Sequence, residues 1–359
     1  MKTVLRTLAA LAILGALAGG SVVLFGLYNV SARLGHLPFV TPILHTTFRN
    51  SVETWSMGTD VPEDLGTADR VDLGAGHFDT ACRTCHAAPG DIRSATVLSM
   101  VPQPPHIREA VGHWDAGELH WIVYQGVKMS GMPAWPADRP DEVWSVVAFL
   151  QQVEDMDETR YRALNEVEVP ADAPPKTAYC ASCHEADGVS GNALIPRLDI
   201  LSETYIDAAL DAYRGGDRES GFMRQAATSI GESDLAALAS YFASRGPGAA
   251  AETTAAPEQV ERGRAIAYAE VPGSEDVPAC RACHGPWPEP IDQAFPSLAG
   301  QYAPYLETQL DLWREGERGG GPRAELMHEA AERLTDEQIA DVAAYYASLA
   351  PATLDEVAE

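Results

Sequence analysis

The sequence has no cysteine outside three short motifs, few basic residues and no strand-like pattern. All six cysteines lie in three pentapeptides, which leaves no thiol for a disulfide bond or a nucleophile. Lysine and arginine number 25 against 52 acidic residues, and the net charge of −27 argues against a nucleic acid partner. No segment alternates apolar and polar residues as a strand does, and the 46% hydrophobic content is too high for a disordered chain. We therefore expect folded, mostly helical domains.

The three cysteine pentapeptides share the pattern CxxCH and recur at a nearly constant interval. They begin at residues 82, 180 and 280 of the 359-residue chain, which gives intervals of 98 and 100 residues. Two thiols followed by a histidine attach haem c, because the thiols bond the porphyrin and the histidine binds the iron. A zinc site would need its cysteine pairs within about 15–20 residues of each other, so the spacing argues against zinc. We predict three covalent haem c groups, bound by Cys82, Cys85, His86, Cys180, Cys183, His184, Cys280, Cys283 and His284.

The interval between the motifs also predicts how the chain is divided. About 100 residues is the size of a small domain, so we expect three tandem haem domains. A stretch of small residues bounded by prolines marks a linker before the last of them. The predicted ranges are an N-terminal membrane segment at 1–32, a spacer with a short helix at 33–70, domains at 71–157, 170–246 and 258–351, and the linker at 247–257.

The N-terminal segment has the length of a membrane anchor. Residues 7–32 carry no charge and follow Lys2 and Arg6. A spanning helix needs about 20 apolar residues, whereas the apolar part of a secretory signal usually has about 7–15. Length therefore favours an uncleaved anchor, with its basic end in the cytoplasm and the rest of the chain outside. A signal sequence cleaved after the small-residue triplet Ala16-Leu17-Ala18 is the alternative.

Helical spacing of apolar residues predicts a closing helix in each domain. In the first domain this helix covers residues 141–150. In the second it starts behind a cap at Ser233 or Asp234, and in the third it starts at a capping box formed by Thr335 and Gln338. In the first domain the closing helix should cross the leading helix beside the haem.

The second domain differs from the others at its start. Pro170, Pro174 and Pro175 leave no room for a long leading helix before Cys180. We therefore expect the second haem to have the least conventional surroundings.

The residue opposite each motif histidine decides between an electron carrier and a catalyst. Met223 is the one methionine of the second domain, whose single histidine is His184. Met327 is the one methionine of the third domain, with the adjacent His328 as the alternative. A thioether opposite an imidazole closes the coordination of the iron and stabilises Fe(II), so such a haem passes electrons and leaves no position for a substrate.

The first domain offers several candidates for the same position. The segment GVKMSGMPAW at 126–135 resembles the Met-Pro loop of class I cytochromes c, which points to Met132, with Met129 as the runner-up. A glycine at 74 and an aromatic residue at Phe78 resemble the leading helix of that class, where a small residue allows a close helix crossing. The remaining candidates are Met100, His77, His106, His113 and His120.

Residues 170–349 resemble the dihaem cytochrome c4 family. The third domain has FPSLAGQ at 295–301 and Arg318 ahead of its methionine, and the second echoes it with IPRL at 195–198 and Arg218. In that family a proline carbonyl accepts a hydrogen bond from the motif histidine. The resemblance implies this role for Pro196 and Pro296, with Pro102, Pro104 and Pro105 as the equivalents in the first domain. A glutamate at 185, where glycine usually follows the motif, departs from the pattern.

The motifs and the resemblance together predict an all-α, membrane-anchored trihaem cytochrome c on the periplasmic side of a bacterial inner membrane. It would relay single electrons and not act as an enzyme. The expected donor is a quinol-oxidising complex or a dehydrogenase, and the expected acceptor is a terminal oxidase, a reductase or a soluble cytochrome. The alternatives are a dedicated cytochrome subunit of a membrane-bound dehydrogenase and a haem enzyme. The acidity fits either a solvated, salt-adapted surface or steering toward basic partners.

Overall fold

The computed structural model describes residues 1–128, 130–250, 254–270, 278–286, 291–321 and 323–351, and every regular element in these ranges is helical. The expected all-α fold is confirmed. Up to residue 165 the elements are α1 (Lys2–Leu24), α2 (Val40–Trp55), α3 (Ala68–His77), a π-helical turn (Phe78–Cys82), α4 (Arg83–His86), α5 (Ala95–Leu98), α6 (Ile107–Ala110), α7 (Ala116–Gln125), α8 (Pro140–Leu150) and α9 (Glu158–Asn165). After residue 165 they are α10 (Thr177–His184), α11 (Glu203–Gly215), α12 (Gly221–Ser229), α13 (Glu232–Ala243), α14 (Pro257–Ala267), α15 (Arg281–His284), α16 (Ala303–Arg314), α17 (Ala324–Ala331) and α18 (Asp336–Ser348).

Buried apolar side chains form three separate clusters, and each cluster holds one attachment motif. We call them the first unit (Leu65 to Leu164), the second unit (Ala173 to Ala243) and the third unit (Val260 to Leu349). The leading cysteine of each motif packs against the cluster of its own unit. Each unit therefore buries its own apolar core next to one haem-attachment sequence.

Glycines let the leading and closing helices cross closely in the first and third units. A Cβ atom at Gly74 of α3 would lie 1.9 Å from the backbone oxygen of Ser145 in α8. A Cβ atom at Gly263 of α14 would lie equally close, at 1.9 Å, to the backbone oxygen of Asp341 in α18. No side chain fits at such a distance, so the crossing expected at Gly74 is confirmed and is repeated in the third unit.

The second unit lacks a leading helix of its own, as the prolines predict. Helix α10 begins at Thr177, three residues before the first motif cysteine, and no helix covers 166–176. The predicted cap of its closing helix is wrong, because α13 begins at Glu232 and its N-cap is Gly231, which has no capping side chain. The capping box of Thr335 and Gln338 at the start of α18 is confirmed.

The N-terminal region contains two helices outside the three clusters. Helix α1 is long and apolar enough to cross a membrane, with a mean hydropathy of 2.1 and no buried residue, although a signal sequence has the same properties. The spacer carries α2, which at 16 residues is longer than the short helix expected. Val52 of α2 is fully buried, and Phe48 lies against Trp114 with ring centroids 5.6 Å apart. Helix α2 is therefore docked on the first unit.

Candidate haem-binding sites

The three motif histidines make the same hydrogen bond, in which Nδ1–H donates to a proline carbonyl. The pairs are His86 with Pro105 (3.0 Å), His184 with Pro196 (3.0 Å) and His284 with Pro296 (2.9 Å). Burial lowers the pKa of each of these histidines, which keeps the imidazole neutral. A neutral ring that donates from Nδ1 has a free lone pair on Nε2, which is the arrangement that a metal ligand needs.

The motif thiols also fit the attachment of haem c. All six cysteines are unpaired. Burial raises the pKa of Cys82 and Cys180 to about 12 and that of Cys183 and Cys280 to about 11, so these thiols are not thiolates. Among the described residues no group of three or more His, Cys, Asp or Glu side chains comes together as a metal site. Paired thiols beside an oriented imidazole fit the attachment of haem c.

The residue after each motif histidine has a positive φ angle, whether or not it is glycine. The angle is +53° at Ala87, +60° at Glu185 and +74° at Gly285. The sequence departure at Glu185 therefore leaves the turn unchanged but places a side chain in a conformation that costs about 1–3 kcal/mol outside glycine. The turn after the motif is therefore kept in all three units, and both the first unit, at Ala87, and the second, at Glu185, hold a non-glycine residue in it.

Substituting Glu185 with glycine is expected to stabilise the protein by about 1 kcal/mol, because the relief of strain exceeds the added entropy of glycine in the unfolded chain. Urea denaturation followed by haem absorbance measures the change. The control is Ala186→Gly at the adjacent position, which has no positive φ angle and should give no gain. A loss of stability in Glu185→Gly would contradict the strain argument.

The predicted second ligands are half-buried methionines on three different elements. Met132 lies in the loop after α7, which is closed by a hydrogen bond from Val127 N to Met132 O (3.1 Å). Met223 lies in the first turn of α12, and Met327 lies in α17. Their role as iron ligands stays a prediction. Met129 lies outside the described residues, and the Cε methyl group of Met100 lies beside Gly131, 2.4 Å from where a Cβ atom would stand.

The competing histidines are engaged in other contacts. His77 is buried between the rings of Trp135 (4.7 Å) and Phe222 (4.9 Å), and burial lowers its pKa to about 4. His328 donates from Nδ1 to Trp313 O at 2.7 Å. The others are His106, bonded to Asp91 O through Nε2, His113, whose ring lies tilted against that of Trp114, and His120, which donates from Nε2 to Pro140 O and stacks on Trp144. Nε2 of His106 and of His120 is occupied, which favours a methionine ligand in the first unit, whereas His328 has the same Nδ1 arrangement as the motif histidines and stays the alternative to Met327.

A cluster of arginine, tyrosine and glutamine side chains lies between the second and third units. Arg218 donates to Tyr305 Oη (3.2 Å) and to Gln309 Oε1 (3.2 Å), and Arg318 donates to the same Gln309 oxygen (2.6 Å) and to Tyr205 Oη (3.3 Å). Arg218 is 5% exposed, and Nε of Arg318 is buried without a partner. Among the residues that the structure describes, neither guanidinium has a carboxylate partner. Arg318 acts on the third motif, where burial first and the charge of Arg318 in addition lower the pKa of His284.

An all-helical fold with three CxxCH motifs and three oriented imidazoles defines a multihaem c-type cytochrome, an electron-transfer protein with three covalent haem c groups. Residues 69–150 match the family of "Cytochrome C oxidase, cbb3-type, subunit III", and residues 260–350 match the family "Cytochrome c". The chain belongs to the cytochrome c family and is homologous to cytochrome c4 and to thiosulfate dehydrogenase electron acceptors.

The similar proteins match about half of this chain. The "Thiosulfate dehydrogenase electron acceptor" of Thiomonas intermedia is 35% identical over 184 residues, which are 50% of this chain and 82% of that protein. The cytochrome c4 of Pseudomonas aeruginosa is 34% identical over 175 residues, 48% of this chain and 85% of that protein. The crystal structure of reduced cytochrome c4 from Pseudomonas stutzeri is 28% identical, covers 48% of this chain and 95% of that one, and has a TM-score of 0.44.

Proposed function

We propose that the protein is a membrane-tethered cytochrome that relays single electrons along three His/Met-ligated haems on the periplasmic side of the inner membrane. The observation that carries the proposal is the hydrogen bond shared by the three motif histidines, because it leaves Nε2 of each imidazole free for iron. Quinol-oxidising complexes and dehydrogenases are the proposed donors. Terminal oxidases, reductases and soluble cytochromes are the proposed acceptors.

The side chains of each unit have separate tasks in this function. Both motif cysteines would hold the porphyrin, and the motif histidine with Met132, Met223 or Met327 would bind the iron. Bound haem c supplies a one-electron Fe(III)/Fe(II) couple. The proline carbonyl fixes the tautomer of the histidine and increases its basicity, and the methionine thioether favours the reduced iron. If the histidine and the methionine of each unit both bound the iron, no position would remain for a substrate, and each unit would carry electrons without catalysis.

Spectroelectrochemical titration of the full-length protein tests the carrier assignment. We expect three one-electron waves, low-spin spectra at all three haems and a sulfur-to-iron charge-transfer band in the oxidised protein. A high-spin band at any haem would contradict the assignment for that haem and would favour the haem-enzyme alternative.

The proposed membrane attachment depends on α1. Its length and apolar composition support a spanning helix, and Lys2 and Arg6 would remain on the cytoplasmic side. The intact mass of the membrane-extracted protein decides between anchor and signal sequence. Loss of residues 1–18 would contradict the anchor.

A second candidate function is that of a dedicated cytochrome subunit of a dehydrogenase. The observation in its favour is the similarity to proteins named as thiosulfate dehydrogenase electron acceptors. Isolation of a stable stoichiometric complex from solubilised membranes would support this candidate. Recovery of the cytochrome alone, together with rapid reduction by several donors, would support the general relay.

Substituting Arg318 with glutamine is expected to lower the midpoint potential of the third haem by roughly 50 mV, or about 1 kcal/mol, because a buried positive charge near the iron favours the reduced state. The neighbourhood of Arg318 and His284 supports the choice of site. The control is Arg314→Gln, which removes a partly exposed guanidinium paired with Asp311 and Asp336. Equal potentials in the two variants would contradict the expected effect.

A further inference from the structure

Two parts of the second haem site contact the first unit: the attachment motif and the helix that carries Met223. The second unit begins its motif helix at Thr177 without a leading helix. Helix α3 of the first unit lies against this motif, since a Cβ atom at Gly76 would stand 3.0 Å from Cys183 Sγ. Asn192 of the second unit donates to Asp69 O of α3 at 2.7 Å. Helix α3 therefore serves the first unit and also covers the motif of the second.

The second contact joins the first unit to the helix that carries Met223. The carboxylate of Glu142 in α8 accepts hydrogen bonds from Ser220 Oγ (2.5 Å) and from Gly221 N (2.6 Å). Ser220 is the N-cap of α12, and its Oγ accepts a hydrogen bond from Met223 N at 3.2 Å. A continuous path of hydrogen bonds thus leads from Glu142 to the backbone of Met223. A carboxylate at this end of α12 also interacts favourably with the helix dipole.

The Glu142 side chain is buried, and both of its carboxylate oxygens accept hydrogen bonds. It is 9% exposed, its Oε2 also accepts from Trp135 Nε1 (3.3 Å), and Arg139 lies 3.8 Å from its Oε1. Burial raises the pKa of Glu142, and Arg139 acts in the opposite direction. A carboxylate that loses its hydration needs such donors. The hydrogen bonds from Ser220 and Gly221 therefore offset part of the free energy that burial of the Glu142 carboxylate costs.

The same surface is tightly packed around two aromatic rings of the first unit. A Cβ atom at Gly221 would lie 2.2 Å from the ring of Trp135, so α12 approaches that ring as closely as glycine allows. Phe222, next to Met223, packs on the first core and contacts Trp135 (5.3 Å between centroids) and His77 (4.9 Å). Small movements of the first unit therefore act directly on the first turn of α12.

We propose that the first unit forms part of the second haem site and that Glu142 is a positioning residue for Met223. This inference rests on the proposed function, in which Met223 is an iron ligand. Glu142 orients α12 through Ser220 and Gly221. Helix α3 of the first unit packs against the second motif, where the second unit has no leading helix of its own. The midpoint potential of the second haem then depends on the structure of the first unit. The third unit has no such contact with Glu142 among the described residues.

The test compares the three midpoint potentials and the ligand-methyl NMR resonances of the full-length, haem-loaded protein. In Glu142→Ala we expect the midpoint potential of the second haem, which Met223→His also changes, to shift. The NMR signal of the iron-bound methionine of that haem should weaken. The potentials and signals of the other two haems should not change. Glu142→Gln keeps one acceptor oxygen and should restore part of the shift. Asp141→Asn is the matched control, because Asp141 is an exposed neighbour whose carboxylate pairs with Arg139.

Gly221→Ala provides an independent variant, because it pushes α12 away from Trp135 without removing a charge. Gly221→Ala should also shift the midpoint potential of the second haem. If Glu142→Ala does not fold, this variant tests whether the first unit positions Met223. Unchanged second-haem potentials in the folded Glu142→Ala and Gly221→Ala proteins, together with a shift in Met223→His, would overturn this inference alone. An unchanged titration of Met223→His would overturn the ligand assignment and the inference with it.

Discussion

Substituting Met223 with histidine lowers the midpoint potential of one haem by on the order of 100 mV or more, because imidazole stabilises Fe(II) less than a thioether does. The second unit offers this test in its simplest form. It has one methionine, and its one histidine donates from Nδ1 to Pro196 as the motif ligand requires. The other two haems should keep their potentials, since their ligands belong to other units.

The measurement is a spectroelectrochemical titration of the variant beside the wild-type protein. Met156→Leu is the control, because Met156 is fully buried in the first core and the substitution nearly conserves its volume. Identical titrations for Met223→His and the wild-type protein would show that Met223 is not a ligand. Applied to Met132 and to Met129, the same substitution identifies which of the two serves the first unit.

Features implied by the resemblance to the cytochrome c4 family could be predicted well where the matching motif is short and local. The histidine and proline of the second and third sites are 12 residues apart, and the predicted pairs with Pro196 and Pro296 are confirmed. In the first unit three prolines fitted the same role, and the path of the loop selects Pro105. That choice depends on backbone geometry over 19 residues, which composition does not determine.

Contacts between units could not be read from the sequence. An acidic residue at 142 is already explained by its place in the first turn of a helix, so nothing in the pattern points to its bonds with Ser220 and Gly221, 78 and 79 residues away. The missing leading helix of the second unit was predictable from its prolines. That α3 of the first unit would cover the motif was not, because such packing follows from the tertiary arrangement of two separate cores.

The largest loss of stability is expected for Arg197→Ala, at about 3–5 kcal/mol, because the substitution leaves the Asp199 carboxylate buried without its charge partner. Both side chains are 0% exposed, and they form two hydrogen bonds of 3.0 and 2.6 Å. Arg197 also donates to Ala249 O at 2.8 Å, and its backbone N–H donates to Gln301 of the third unit at 2.9 Å. The pair therefore joins the second unit to the linker and to the third unit.

Urea denaturation followed separately by far-UV circular dichroism and by haem absorbance measures this loss. The exposed pair of Arg162 and Glu158 is the control, and Arg162→Ala should cost at most about 0.5 kcal/mol. Adding Asp199→Leu to Arg197→Met should recover much of the stability, because the cost comes mainly from the unpaired carboxylate. Since Arg197 directly follows Pro196, we also expect Arg197→Ala to loosen the hydrogen bond to His184 and to disturb the second haem first. A loss below 1 kcal/mol with an intact second haem would contradict both expectations.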